Sequence, residues 1–102
     1  MKIFRDNDRA YLDWIQENEN GFVVNTFRNP SRRCLVLHRA TCWTIRTPAR
    51  TNWTTTQYIK ICSPSEEELQ RWARENLGGD LKPCEICKPN AEDMKIISKK
   101  KR

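Results

Sequence analysis

CLVLHRATCWT at residues 34–44 and KPCEICKP at residues 82–89 are the two stretches that decide how this chain folds. Three residues separate His38 from Cys42, and two separate Cys84 from Cys87. A pair at either spacing can turn both side chains toward one ion. Zinc accepts four such nitrogen and sulfur ligands at tetrahedral corners. The only histidine of the chain stands at ligand spacing from a cysteine. His38, Cys42, Cys84 and Cys87 are therefore expected to hold one structural Zn2+ ion. The two pairs lie far apart in sequence, so one ion would clamp the start of the domain to its end. Long loops are where a cross-link has most theoretical leverage over the unfolded chain. The plainer alternative for His38 is an ordinary hydrogen-bonded histidine at a strand end.

The other two cysteines, Cys34 and Cys62, sit inside apolar strand patterns and read as small core residues. Cys34 precedes His38 by four residues and is the first substitute if one of the four ligands is wrongly chosen. Five cysteines are an odd number, so disulfides alone would leave one thiol over. The opening MKIFRDNDRAY reaches charge too early for a signal peptide, and no apolar stretch is long enough to span a bilayer. These features point to a reducing cytoplasm, where cysteine clusters bind metal more often than they form disulfides. At 102 residues the chain is one domain, residues 1–98, with a basic tail at 99–102. A core of that size is modest and benefits from a metal staple.

Outward from the two pairs, the pattern predicts a small α+β domain. Asp6 to Asn18 reads as a helix, capped by Asp6 or Asp8, with Tyr11, Trp14 and Ile15 at helical spacing. Asn20-Gly21 ends it. FVVNTF (22–27) and CLVL (34–37) read as a hairpin joined by a turn over 28–32, followed by His38 to Thr44 on a knuckle or one short helical turn. Residues 47–56 read as a loop and QYIKIC (57–62) as a third strand. Ser63-Pro64-Ser65-Glu66 reads as a helix start, with Ser63 as cap, Pro64 in the first turn and Glu66 closing a capping box. Leu69, Trp72, Ala73 and Leu77 form that helix's apolar stripe, and Gly78-Gly79 ends it. The expected architecture is an antiparallel sheet of about three strands with helices packed against it.

From Gly21 to Pro89 the order of elements and the ligand spacing resemble the N-terminal zinc domain of Ada-type methyl-phosphotriester DNA repair proteins. GFVVNTF leads into His38-Arg39-Ala40-Thr41-Cys42; YIKIC and SPSEEELQRWA follow, then KPCEICKP. In that family the first residue of the first pair is a zinc-bound cysteine that accepts a methyl group from DNA. Here it is His38. A metal-bound imidazole has no second lone pair to attack a methyl, so the resemblance implies the zinc fold without the methyl transfer. It also implies a site one unit less negative than four thiolates, which would repel a DNA phosphate less.

Lys and Arg outnumber Asp and Glu by 19 to 13, for a formal net charge of +6, and such an excess favours polyanions. Arg28, Arg32, Arg33, Arg39, Arg46 and Arg50 group around the turn, the first knuckle and the following loop. They are the candidate phosphate contacts, because a guanidinium donates in pairs to phosphate oxygens. Asn52 and Trp53 are candidates for hydrogen bonding and stacking, and Trp43 for contact with a partner. The expected function is a non-catalytic zinc module that binds nucleic acid, duplex DNA foremost. The alternative is a zinc-stabilised protein-interaction module. No paired carboxylates, second histidine or glycine-rich phosphate loop speak for an enzyme.

Overall fold

The computed structural model describes residues 1–46 and 52–89. Strand β1 (Lys2–Phe4) precedes helix α1 (Asp8–Glu17), strand β2 (Phe22–Phe27), strand β3 (Val36–Arg39) and a 3-10 turn (Trp43–Ile45). Strand β4 (Tyr58–Ser63), helix α2 (Glu66–Leu77) and the two-residue strand β5 (Lys82–Pro83) complete the described residues. The sheet runs β1-β4-β2-β3-β5.

The three strands legible in the sequence form its centre, and all pairings among them are antiparallel. The sheet is nevertheless wider than three strands and not wholly antiparallel. β1 adds to β4 antiparallel, and β5 adds to β3 parallel. β3 also begins two residues later than its apolar run suggests. Cys34 makes only an isolated bridge with Ser31, and His38 lies within the strand rather than on a knuckle.

Successive strand residues face opposite sides of a sheet, and here each side carries one helix. Val23 and Cys62 pack with Tyr11 and Ile15 of α1, together with Phe4, Ile45 and Trp53. Their neighbours Val24 and Ile61 pack with Leu69 and Ala73 of α2, together with Leu35 and Leu37. His38 pairs across the sheet with Val23, which puts its side chain on the α1 side.

Both helix starts differ in detail from expectation. Asn7 caps α1, its Oδ1 accepting from Ala10 N at 3.1 Å. Asp6, with φ 55°, instead receives both guanidinium nitrogens of Arg28 at 2.7 and 2.8 Å. Asp8 accepts from the amides of Trp53 and Thr54 and from Thr54 Oγ1 at 2.7 Å. Ser65, not Ser63, caps α2, accepting from Glu68 N at 3.2 Å, so Pro64 lies outside the helix. Ser63 Oγ instead accepts from Ser65 N and contacts the Glu68 carboxylate. Gly78, with φ 64°, ends α2 in the left-handed conformation that only glycine adopts without strain. Gly21 is required for space: a Cβ there would lie 2.8 Å from the Trp14 ring.

Candidate metal centre

The polar end of β3 and the chain just after β5 converge because β5 zips alongside β3. Lys82 N donates to Leu35 O and Cys84 N to Leu37 O, each at 2.8 Å. This two-residue parallel pairing carries Cys84 to His38. On the other side, Ala40 N donates to Gly21 O at 3.0 Å. Cys42 N then donates to Arg39 O at 2.9 Å, turning Cys42 back under the strand. Lys88 N closes the second turn onto Cys84 O at 2.8 Å, with Lys88 at φ 45°.

The result is one cluster. The ligand atoms of His38, Cys42, Cys84 and Cys87 all lie within 4.8 Å of one another. Cys42 and Cys84 Sγ are 4.0 Å apart. These four side chains can hold a metal ion. His38 Nδ1 is buried and has no hydrogen-bond partner, a costly state for a ring nitrogen that a coordinated ion would relieve. Burial, with help from the Lys60 ammonium, lowers the His38 pKa to about 4, so the ring is neutral at pH 7 and keeps its lone pair.

The sulfurs are held by backbone donors. Arg39 N donates to Cys87 Sγ at 3.2 Å and Ile86 N to Cys84 Sγ at 3.3 Å. Burial opposes ionisation of Cys84, but the amides of Cys87 and Ile86 prevail and hold its thiol below the ordinary value. Burial pushes Cys87 up to about 12, and the neighbouring Cys42 and Cys84 add to the shift. Crowding thus opposes ionising these sulfurs together. A metal cation would remove the conflict by binding both as thiolates. Thr44 Oγ1 lies 2.9 Å from Cys42 Sγ.

Cys34 and Cys62 stand outside this cluster. Cys62 is fully buried beside α1, and burial raises its thiol well above the ordinary range. Cys34 sits part-buried near the turn, 3.9 Å from Asn25 O, and burial raises it too.

The candidate nucleic-acid residues are split by the sheet. Arg28, Arg32 and Arg33 belong to the β2–β3 turn, whereas Arg39 and Arg46 flank the cluster at the far end of β3. Arg32 and Arg33 are exposed. Arg28 is committed to Asp6 and to the carbonyls of Thr54 and Thr56. Arg39 donates to the carbonyls of Cys87 and Pro89, bracing the second knuckle. Arg46 donates to Ala40 O at 3.4 Å. Asn52 is exposed. Trp53 is 1% exposed and packs at 6.2 Å from the Tyr11 ring, so it is a core residue and not a stacking platform. Arg50 and the tail at 99–102 lie outside the described residues.

Sequence reasoning passed over Lys60. It is 4% exposed, and its Nζ donates to Asn25 Oδ1 at 2.7 Å and Trp53 O at 2.8 Å. The signal was there in YIKIC, where strand alternation puts Lys60 on the same side as Cys62. No helix among the described residues is long and apolar enough to cross a membrane. Comparison with known protein families, curated proteins and solved structures finds no match to this chain.

Proposed function

We propose that the protein is a non-catalytic, zinc-stabilised module that binds nucleic acid through the phosphate backbone, duplex DNA being the first substrate to test. The convergence of His38, Cys42, Cys84 and Cys87 carries the zinc half of this proposal. A tetrahedron of zinc–sulfur bonds about 2.3 Å long has edges of about 3.8 Å, and Cys42 and Cys84 Sγ are 4.0 Å apart. One nitrogen and three sulfurs suit zinc better than a hard cation. Four protein ligands would close the coordination shell, the mark of a structural site. The arrangement also fits the resemblance to Ada-type zinc domains, with His38 in place of the reactive cysteine. A reducing cytoplasm suits it, since reduced thiols stay available to metal.

The nucleic-acid half rests on the net charge of +6 and on the exposed Arg32 and Arg33, with Arg46 beside the cluster. A zinc ion with three thiolates and a neutral imidazole carries one negative charge, one fewer than with four thiolates. The test is titration of duplex DNA at several salt concentrations. Affinity is expected to fall steeply with salt, because each phosphate contact releases a counterion. His38→Cys should keep its zinc and bind DNA more weakly, the site having gained a negative charge. Equal affinity in zinc-loaded His38→Cys protein would disconnect binding from the metal site. Absence of salt-sensitive binding to any nucleic acid would sink the proposal.

A second reading draws on Trp43 and Ile86, which are 63% and 57% exposed. Each adjoins a ligand cysteine, so the two knuckles present apolar side chains that suit a protein partner. Binding insensitive to salt and lost in Trp43→Ala would favour it.

A further inference from the structure

Three sulfurs in one cluster have a second chemistry beside coordination. Two thiolates can give up two electrons to a peroxide and join as a disulfide. What that bond does to the domain depends on which two sulfurs it links. Cys84 and Cys87 are three positions apart, and a bond between them closes only a local turn. Cys42 and Cys84 are 42 positions apart. A bond between those two joins the same ends of the domain that the metal joins.

The backbone presents Cys42 and Cys84 for the long-range bond. Cys84 N donates to Leu37 O at 2.8 Å, and Cys42 N donates to Arg39 O at 2.9 Å. Both residues therefore hang from the same end of β3, by hydrogen bonds in which the metal takes no part. Their sulfurs stand 4.0 Å apart, whereas a disulfide is about 2.05 Å long. The gap of roughly 2 Å is within reach of side-chain rotation on a backbone that stays in place. Cys87 is fastened elsewhere. Its sulfur accepts from Arg39 N at 3.2 Å, and its carbonyl accepts from Arg39 Nε at 3.3 Å. Access also separates the pair. Cys42 is 3% exposed and Cys84 8%. Among the described residues, Pro83, Cys84, Glu85 and Lys88 border a cavity of about 200 Å³, roomy for a peroxide molecule. Cys84 is thus the sulfur that meets the oxidant, with Cys42 placed beside it.

We propose that Cys42 and Cys84 are a peroxide-sensitive thiol pair whose disulfide replaces the metal as the clamp between the two knuckles. The inference rests on the zinc reading above and adds a regulation to that site. The Cys84 thiolate attacks one peroxide oxygen; the O–O bond breaks, leaving a sulfenic acid and a hydroxide. The Cys42 thiolate then attacks the Cys84 sulfur, the S–S bond forms, and a second hydroxide leaves. Two sulfurs have lost one electron each, and the peroxide has become two hydroxides, which take protons from water. The electrons come from sulfur, since zinc has no redox chemistry. With two of its four ligands consumed, the site no longer retains its ion. The domain nevertheless stays cross-linked. A dithiol reductant returns both thiolates and restores the site.

The experiment uses the reduced, zinc-loaded full chain, treated with hydrogen peroxide in the presence of a zinc indicator. Disulfides are mapped by mass spectrometry after cleavage at Glu85, which separates Cys84 from Cys87. Thermal unfolding is compared for zinc-loaded, oxidised, and reduced and chelated protein. One zinc should be released for each Cys42–Cys84 disulfide formed. The oxidised protein should melt within about 5 °C of the zinc-loaded protein, because both cross-links close the same loop. The reduced and chelated protein should melt about 15–30 °C lower. Dithiothreitol with zinc should reverse the change. Cys34→Ser should respond as wild type does, since Cys34 lies outside the cluster. A Cys84–Cys87 disulfide, or oxidised protein that melts with the chelated form, overturns the proposal. So do thiols that stay reduced with zinc retained, and a response lost in Cys34→Ser. Freshly reduced protein that carries no metal overturns the zinc reading. In that protein a Cys42–Cys84 disulfide formed by peroxide still retains the thiol pair, and its absence overturns the pair as well.

Discussion

Removing the metal should cost this domain a large share of its stability, and the size of the loss can be worked from its topology. One ion bridging Cys42 and Cys84 joins residues 42 positions apart. The chain-entropy relation for a single cross-link closing a loop of that length gives about 4 kcal/mol at 25 °C. Domains of this size are stable by only about 5–15 kcal/mol in total. The hydrogen bonds of β5 on β3, from Lys82 to Leu35 and from Cys84 to Leu37, oppose separation of the two knuckles without the metal. At about 1 kcal/mol net each they fall short of the cross-link. Chelation should therefore lower the Tm by roughly 15–30 °C, at about 4–8 °C per kcal/mol for a small domain. The assay is thermal unfolding followed by circular dichroism, before and after a strong chelator, with elemental analysis of the same samples. About one zinc per chain is expected beforehand. A shift below about 5 °C in protein shown to have lost its metal would refute the cross-link, since it is smaller than one kcal/mol is expected to produce. Freshly reduced protein that carries no metal would refute the centre itself.

Asp8→Ala should lower stability by about 2–3 kcal/mol with metal content unchanged, because it leaves the amides of Trp53 and Thr54 without their acceptor; urea unfolding measures it. Burial opposes ionisation of Asp8, but hydrogen bonds from Thr54 and Trp53 hold its carboxyl below the ordinary value. A depressed carboxylate stabilises the fold fully above about pH 4 and loses that contribution as the pH falls further. The acid side of the stability profile should therefore be shallower in Asp8→Asn than in wild type. Cys62→Ala should cost about 1–3 kcal/mol as a core truncation and leave the zinc in place, whereas Cys84→Ala should abolish metal retention. Loss of zinc from Cys62→Ala with retention by Cys84→Ala would reassign the ligands.

Ligand spacing was legible because it is local: a turn of two or three residues decides whether two side chains can reach one point. For the same reason FVVNTF, YIKIC and the α2 stripe announced their elements. The helix caps were misread by one or two residues, since Asp6, Asn7 and Asp8 are all competent caps in isolation. Tertiary partners chose among them, with Arg28 taking Asp6 across 22 positions and the Trp53–Thr54 segment taking Asp8 across 46. That same clamp buries Trp53, which in sequence looks like an exposed loop aromatic. β1 (KIF) and β5 (KP) are three and two residues long, too short to show an alternating pattern. Nothing in them signals a strand, because their order comes from the neighbours they pair with. His38 and the cysteines could be named from their spacing alone. That β5 is the element delivering Cys84 to His38 depends on pairings between residues dozens of positions apart, which a linear pattern does not encode.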